Sequence, residues 1–324
     1  MVTSDMSAMD ELTFADVPCG AGGLSLGFEL VGYRPVFAAD MNPLRCETYS
    51  ANCLGRVRAA RIQDLDRLPQ HDVYLAGIPC QPYSQLRWLV IHRLKGVLPE
   101  KWTDITITGE VERLIERNRP RAFVTENVRR APVPAPGGYH ITPVLVDGRF
   151  LGMLQPRVRR ITFGFRDDVV PGPLPPPLWP FAGTDGVGHT MLADRRAVPV
   201  KLLAGGKPKT EPRHRRLGTV FAGHGPLRRS FAEHGRDEEW ARWLQGFPET
   251  FFFAGPQDER LGQIADAVPV PMARWAAMVC RDWLLHGGAS ASANGANGAN
   301  GTGASGGLDM EIRTALSGMV GVGL

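Results

Sequence analysis

Cys80 stands between a proline and a glutamine in GIPCQPYS, just past the apolar run HDVYLAG (His71–Gly77). A thiol at that place sits at the end of a strand, exposed at an edge, where it can react. Glu126 closes a second apolar run, RAFVTEN (Arg121–Asn127), and so belongs to the same edge. In QPRVRR (Gln155–Arg160), Arg157 and Arg159 are two residues apart and share one face of a strand. A thiol can attack carbon, a carboxyl can hold a proton, and guanidiniums can bind an anion.

A second group of residues suits a nucleoside. DVPCGAGG (Asp16–Gly23) ends one apolar run and opens a helical one, a turn where the backbone N–H groups around Gly20, Gly22 and Gly23 can approach a nucleotide-like ligand. Glycine turns also serve close packing, so the turn alone does not decide. Asp40 ends the next run, the place from which an acidic residue bonds ribose hydroxyls. Asp64 follows a third, shorter run and reads equally as a partner for an adenine amino group or as a solvated surface aspartate.

Such positions need a parallel sheet. LTFADV (Leu12–Val17), RPVFAAD (Arg34–Asp40), HDVYLAG and RAFVTEN read as strands, with helices over Gly22–Val31, Pro43–Asn52 and Ile107–Glu116. That alternation predicts βαβ units with ligand groups at the carboxyl ends of the strands. From Tyr139, ITPVLVDGRFLGMLQPRVRRITFGF holds two further β-rich runs around an Asp147-Gly148 turn signal. Helical periodicity returns at Asp237–Gln245 and Val268–Leu285, and these helices should pack back on the sheet.

The 324 residues exceed one average domain, and 38 glycines with 27 prolines demand long loops. Hydrophobic residues at 43% and charged ones at 22% exclude wholesale disorder. No run reaches the roughly 18 apolar residues of a membrane span, and MVTSDMSAMDE has no basic-then-apolar leader. A soluble, cytoplasmic protein without membrane contact is expected. Cys19, Cys46, Cys53, Cys80 and Cys280 form neither a CxxC pair nor an even framework, so neither a disulfide scaffold nor a cysteine-built metal site is expected. The net charge of +4 is uneven: Gln155–Ser230 carries fourteen Lys/Arg against five Asp/Glu, a basic, proline-rich block suited to a polyanion.

Taken in order, FxxxxCGAGG from Phe14, Pro79-Cys80-Gln81, Glu126-Asn127-Val128 and Gln155-x-Arg157-x-Arg159 resemble the DNA (cytosine-5) methyltransferase family. WLQGFPE (Trp243–Glu249) and QIADAVPVPMA (Gln263–Ala273) resemble two later segments of that family, so the likeness runs from about Leu12 to Leu285. It implies an α/β fold: a Rossmann-like, S-adenosylmethionine-dependent methyltransferase sheet with a small, basic target-recognition domain. Double-stranded DNA is the implied partner, and a monomer the implied state. The resemblance also implies roles. Cys80 adds to C6 of cytosine, because C5 attacks a methyl sulfonium only after a thiolate on C6 pushes density toward it. Glu126 holds N3 and the exocyclic amine, while Arg157 and Arg159 bind the O2 side, the adjacent phosphate or Glu126 itself. The base must leave the duplex, and the loop from Gln81 to about Lys101, with Ser84, Gln85, Arg87 and Trp88, is the implied lid. Pro18, Gly20, Gly22, Gly23, Asp40, Asp64, Pro79 and Asp266 are the implied cofactor contacts, with no metal. A restriction-modification setting, on the nucleoid of a bacterium or in a phage, belongs to the same picture.

The implied division is 1–166 for the catalytic, cofactor-binding domain and 167–217 for target recognition, the Pro-rich Val169–Pro180 marking the boundary. Residues 218–286 return to the catalytic domain. A flexible linker of only Gly, Ala, Ser, Asn and Thr spans 287–307, and 308–324 form a tail able to engage a protein partner. Four features depart from the family pattern. Pro18 replaces an aromatic residue, which makes room for a cofactor with a different transferable group. Ala265 and Asp266 stand where the family has Gly and Asn. Val128–Gln155 is short, as though a helix were missing, and the recognition region is small. These departures keep two other readings open: an RNA cytosine methyltransferase of the same fold, and a DNA-binding or regulatory homologue with weak catalysis.

Overall fold

The computed structural model describes residues 11–80, 107–153, 157–169, 189–191, 197–199 and 237–293. The first part of the chain alternates as expected: β1 (Thr13–Asp16), α1 (Gly23–Glu29), β2 (Arg34–Asp40), α2 (Pro43–Asn52), β3 (Val57–Ala59), β4 (Val73–Gly77), α3 (Thr108–Asn118) and β5 (Ala122–Asn127). β6 (Tyr139–Asp147) and β7 (Val158–Arg166) follow, and the seven strands form one sheet in the order β3-β2-β1-β4-β5-β7-β6. β1 to β5 are parallel, while β7 runs antiparallel to both β5 and β6. The winding reverses at β1, so the carboxyl ends of β1 and β4 open on the crevice where such sheets take ligands.

Local chemistry sets the element ends. α2 begins where Asn42 accepts from the Leu44 N–H at 2.9 Å and Pro43 occupies the first turn. α3 turns Val111, Leu114 and Ile115 inward and stops at Arg119, whose φ of 51° precedes Pro120. Three helices come later: α4 (Asp237–Leu244), α5 (Gln257–Asp266) and α6 (Val270–Ala293). α5 is not anticipated by the sequence reading, although its acidic first turn, Asp258 and Glu259, suits a helix N-terminus. α6 starts at Val270 rather than Val268, since Pro269 disfavours helical geometry in the residue before it. It also runs to Ala293, into the stretch assigned to the linker, because a nucleated helix extends readily through Ala-containing sequence. Between Val128 and Met153 the described residues hold β6 and a 3-10 turn at Gly148–Leu151, with no α-helix. Within the basic block, β8 (His189–Met191) and β9 (Ala197–Pro199) pair as a small antiparallel sheet.

Alternation along the strands divides the core. Phe14, Val73, Leu75, Val124, Phe163 and Phe165 face α1 and α6, where Trp283 packs 5.7 Å and 5.0 Å from the rings of Phe163 and Phe165. Tyr74, Ala76 and Phe123 face the other way, onto Val111, Leu114 and Ile115 of α3. Two glycines let α1 meet α6 and the residues before it: a Cβ at Gly27 would strike the backbone of Ala273 and Arg274 in α6, and one at Gly23 the Val268 carbonyl ahead of it.

Gly164 lies opposite Phe123 in the β5–β7 register, and a Cβ there would enter the Phe123 ring. Gly164→Ala should destabilise the fold by about 1–3 kcal/mol through overpacking. Adding Phe123→Leu should recover part of that loss, read as the denaturant midpoint at constant slope; equal midpoints for Gly164→Ala and wild type would contradict the packing account.

Candidate active site

The carboxyl ends of β4 and β5 bring the chemistry together. Gly77 is in register with Glu126, and the Ile78 N–H donates to the Glu126 carbonyl at 3.1 Å. The chain thus leaves β4 alongside Glu126 and carries Pro79 and Cys80, both partly exposed, past it. Glu126 pairs with Ile161 across β5–β7, so Arg159, two residues from Ile161, shares its face. Arg159 Nε lies 2.9 Å from Glu126 Oε1, with the Glu126 residue only 6% exposed. Arg157, 3% exposed, donates from Nη2 to the Ala265 carbonyl at 2.8 Å.

These groups feel one another. Burial pushes the Glu126 carboxyl up from its ordinary value, against the pull of Arg159 and Arg157. The Cys80 thiol is pushed up by burial, then by the charge of Glu126 and, less, Asp266; Arg159 and Arg157 oppose this. Burial and then neighbouring Arg159 bring Arg157 down to about 9, still protonated at neutral pH. The arrangement is a thiol beside a carboxyl that can be protonated, with two cations holding the negative charge of either.

The second cluster lines the crevice above β1 and β2. Gly20 has φ of 55°, and a Cβ there would meet nothing within 4 Å. Its N–H donates to Asp40 Oδ2 at 3.0 Å, while the Asn42 N–H donates to Oδ1 at 2.9 Å. Asp40 therefore locks both turns and keeps lone pairs for a further donor. Gly22 and Gly23 are explained by packing: side chains there would collide with Cys53 Sγ and with the Val268 carbonyl. Pro18, joined to Val17 by a cis peptide bond, is partly exposed on the turn. Asp64 ends an exposed 3-10 turn after β3, and its side chain makes no hydrogen bond or ion pair among the described residues. Asp266 ends α5 and pairs with Arg45 of α2 at 2.8 Å.

Asp16 ends β1, where the sequence shows only the close of an apolar run. It is fully buried, accepts from Ser25 Oγ at 2.7 Å, and is raised to about 7 mainly by burial. Its Oδ1 has no partner among the described residues. An unsatisfied carboxylate oxygen next to a turn with open space at Gly20 fits a ligand rich in N–H and O–H groups. Met41, 71% exposed beside Asp40, offers an apolar surface to a flat ring.

The later motifs also gain a physical meaning. Gln245, in WLQGFPE, is fully buried and donates from Nε2 to the Ile264 carbonyl at 2.7 Å, with longer approaches to Ala265 and Ala267. It therefore fixes the same C-terminal carbonyls of α5 that hold Arg157. Arg160 binds the carbonyls of Arg129, Ala131 and Pro132, tying down the loop after Glu126. Neither role shows in the sequence, because a buried Gln or Arg that binds carbonyls resembles any other there. The implied lid from Gln81 to Lys101, including Ser84, Gln85, Arg87 and Trp88, lies outside the described residues, as does Gln155. Of 167–217, only 167–169 and the β8–β9 hairpin are described. Among the described residues no cluster of His, Cys, Asp or Glu is arranged to hold a metal ion, and no helix is long and apolar enough to cross a membrane.

Comparison with known proteins agrees with this geometry. Residues 12–132 match the family model for C-5 cytosine-specific DNA methylases. Type II methyltransferase M.BsuFI of Bacillus subtilis is 30% identical over 174 residues, covering 49% of this chain and 40% of that protein. Type II methyltransferase M.NlaX of Neisseria lactamica is 25% identical over 303 residues, covering 80% of this chain and 93% of that one. The chain thus spans less than half of the first relative and nearly all of the second. The Dnmt2 methyltransferase of S. pombe shares the fold, with a TM-score of 0.52 at 13% identity over 83% of this chain and 98% of that one. Over residues 12–132 the chain is similar to the C-5 cytosine-specific DNA methylases, and its seven-stranded α/β sheet is a fold shared with solved methyltransferases.

Proposed function

We propose that the chain is a DNA cytosine C5 methyltransferase, acting on a cytosine turned out of double-stranded DNA through a transient bond from Cys80 Sγ to C6. One observation carries the reading: Cys80 emerges from β4 beside a buried Glu126 that Arg159 holds at 2.9 Å. Glu126, anchored through Oε1, has its other oxygen for the N3 edge of the base. A proton shared between Glu126 and N3 would draw density from C6 as the thiolate attacks, and burial, which pushes the carboxyl up, favours that sharing. Arg157, which donates to the Ala265 carbonyl, would bind the O2 side. The addition makes C5 an enamine carbon, and S-adenosylmethionine supplies the electrophilic methyl group. Loss of the C5 proton then expels Cys80 and restores the aromatic ring. Gly20, Asp40 and Asp16 fit the nucleoside cofactor, with Pro18, Pro79, Asp64 and Asp266 as further contacts. The basic 167–217 segment is the proposed recognition region, and the protein would act as a monomer on the duplex.

Mass spectrometry of nucleosides from DNA of cells expressing the protein should show 5-methylcytosine, absent with Cys80→Ala. Unmodified DNA beside soluble wild-type protein would sink the reading, and methylated cytosine confined to RNA would replace the substrate.

Glu126→Gln separates attack from activation. Methylation should fall at least about 100-fold with loss of the proton donor. Iodoacetamide capture of Cys80 should shift to lower pH, because the charge that raises the thiol is gone while Arg159 is freed. A capture profile moved to higher pH would contradict the placement of Glu126 against Cys80.

A further inference from the structure

We infer that Arg45 and Asp266 form a charge pair that reads the amino-acid end of the cofactor, the carboxylate meeting Arg45 and the ammonium meeting Asp266. This rests on the nucleoside-cofactor reading above. Position is the first argument. Arg45 lies in the first turns of α2, five residues after Asp40, whose carboxylate holds the Gly20 turn. Asp266 ends α5 within electrostatic reach of Cys80 and Arg157. The pair therefore spans the gap between the nucleoside side and the thiol. A sulfonium whose nucleoside rests near Asp40 and whose methyl points toward a base on Cys80 must direct its third arm, the amino acid, into that gap.

Valence is the second argument. Arg45 donates from Nη2 to Asp266 Oδ2 at 2.8 Å. Arg45 Nε has no acceptor among the described residues, so the guanidinium is not saturated by its partner. The two side chains are 27% and 24% exposed, too open for a purely internal strap yet desolvated enough for a charged ligand to gain from them. A zwitterion laid against an ion pair satisfies both charges at once, with neither left bare.

A structural strap is the competing role, since α2 is tied to the C-terminal segment elsewhere. Thr48 donates to Gln263 at 2.6 Å, and Asn52 exchanges hydrogen bonds with the Phe252 backbone at 2.7 Å and 2.8 Å. Those contacts form a seam along α2 at Arg45, Thr48 and Asn52, and they would keep the helix docked without the ion pair.

Two probes distinguish the roles by calorimetric titration of the full chain. S-adenosylhomocysteine carries the amino-acid end; 5′-methylthioadenosine lacks it. Wild type should prefer the former, and Arg45→Ala or Asp266→Asn should each cut that preference about tenfold while leaving 5′-methylthioadenosine binding within about twofold. A preference unchanged in both variants, or equal weakening of both probes, would overturn the pair as a reader and leave it a strap. Binding of neither probe by folded wild type would overturn the nucleoside reading itself, and this inference with it.

Discussion

A carboxyl group cannot be placed in the interior of a sheet edge as an ion without a counter-charge, and the site is organised around meeting that demand at Glu126. Isolated, the ion would be strongly destabilising there; Arg159 at 2.9 Å and Arg157 nearby balance the burial that pushes the carboxyl up. That balance depends on the antiparallel direction of β7. Because β7 runs back against β5, an arginine two residues before Ile161 arrives next to the last residues of β5. A parallel strand would deliver the other end of β7 to that edge. The reversed strand is thus part of the site as well as of the sheet.

The C-terminal helices complete what the first strands begin. Arg157 is fixed by the carbonyl of Ala265, which Gln245 also approaches, and Val268 presses on Gly23. Segments more than a hundred residues apart are joined by buried donors on carbonyls and by glycines that remove a Cβ, rather than by an apolar interface alone. Gln263 closes the same junction, accepting from Thr48 and donating to the Ala254 carbonyl at 2.8 Å. Such buried polar contacts cost desolvation and return little net energy, but they admit one alignment.

What the sequence showed and what it hid follow from range. Strand positions and α2 were legible because their signals are local: apolar runs, a capping Asn42, a Pro43. Cys80, Glu126, Arg157 and Arg159 were legible as residue types at strand ends, and the sheet topology brings those ends together. Of the three turn glycines, only Gly20 has open space where a Cβ would stand. Gly22 and Gly23 answer to Cys53 and Val268, contacts that no local pattern encodes. α5 was obscured because its ten residues merge with a motif read for its chemistry. The Asp16 environment was hidden because nothing local distinguishes a buried aspartate at a strand end from an exposed one.

The docking of α6 on α1 has a topological consequence. The last strand of the sheet ends at Arg166, and α4, from Asp237, brings Ala241 and Leu244 into the core with Ala21 of the Gly-rich turn. The two ends of the intervening chain are thus anchored in the same folded body. Lengthening that chain changes the closure entropy only logarithmically. The length of the chain between Val169 and Asp237 is therefore only weakly coupled to the positions of Glu126, Arg157 and Arg159, which the remainder of the chain fixes.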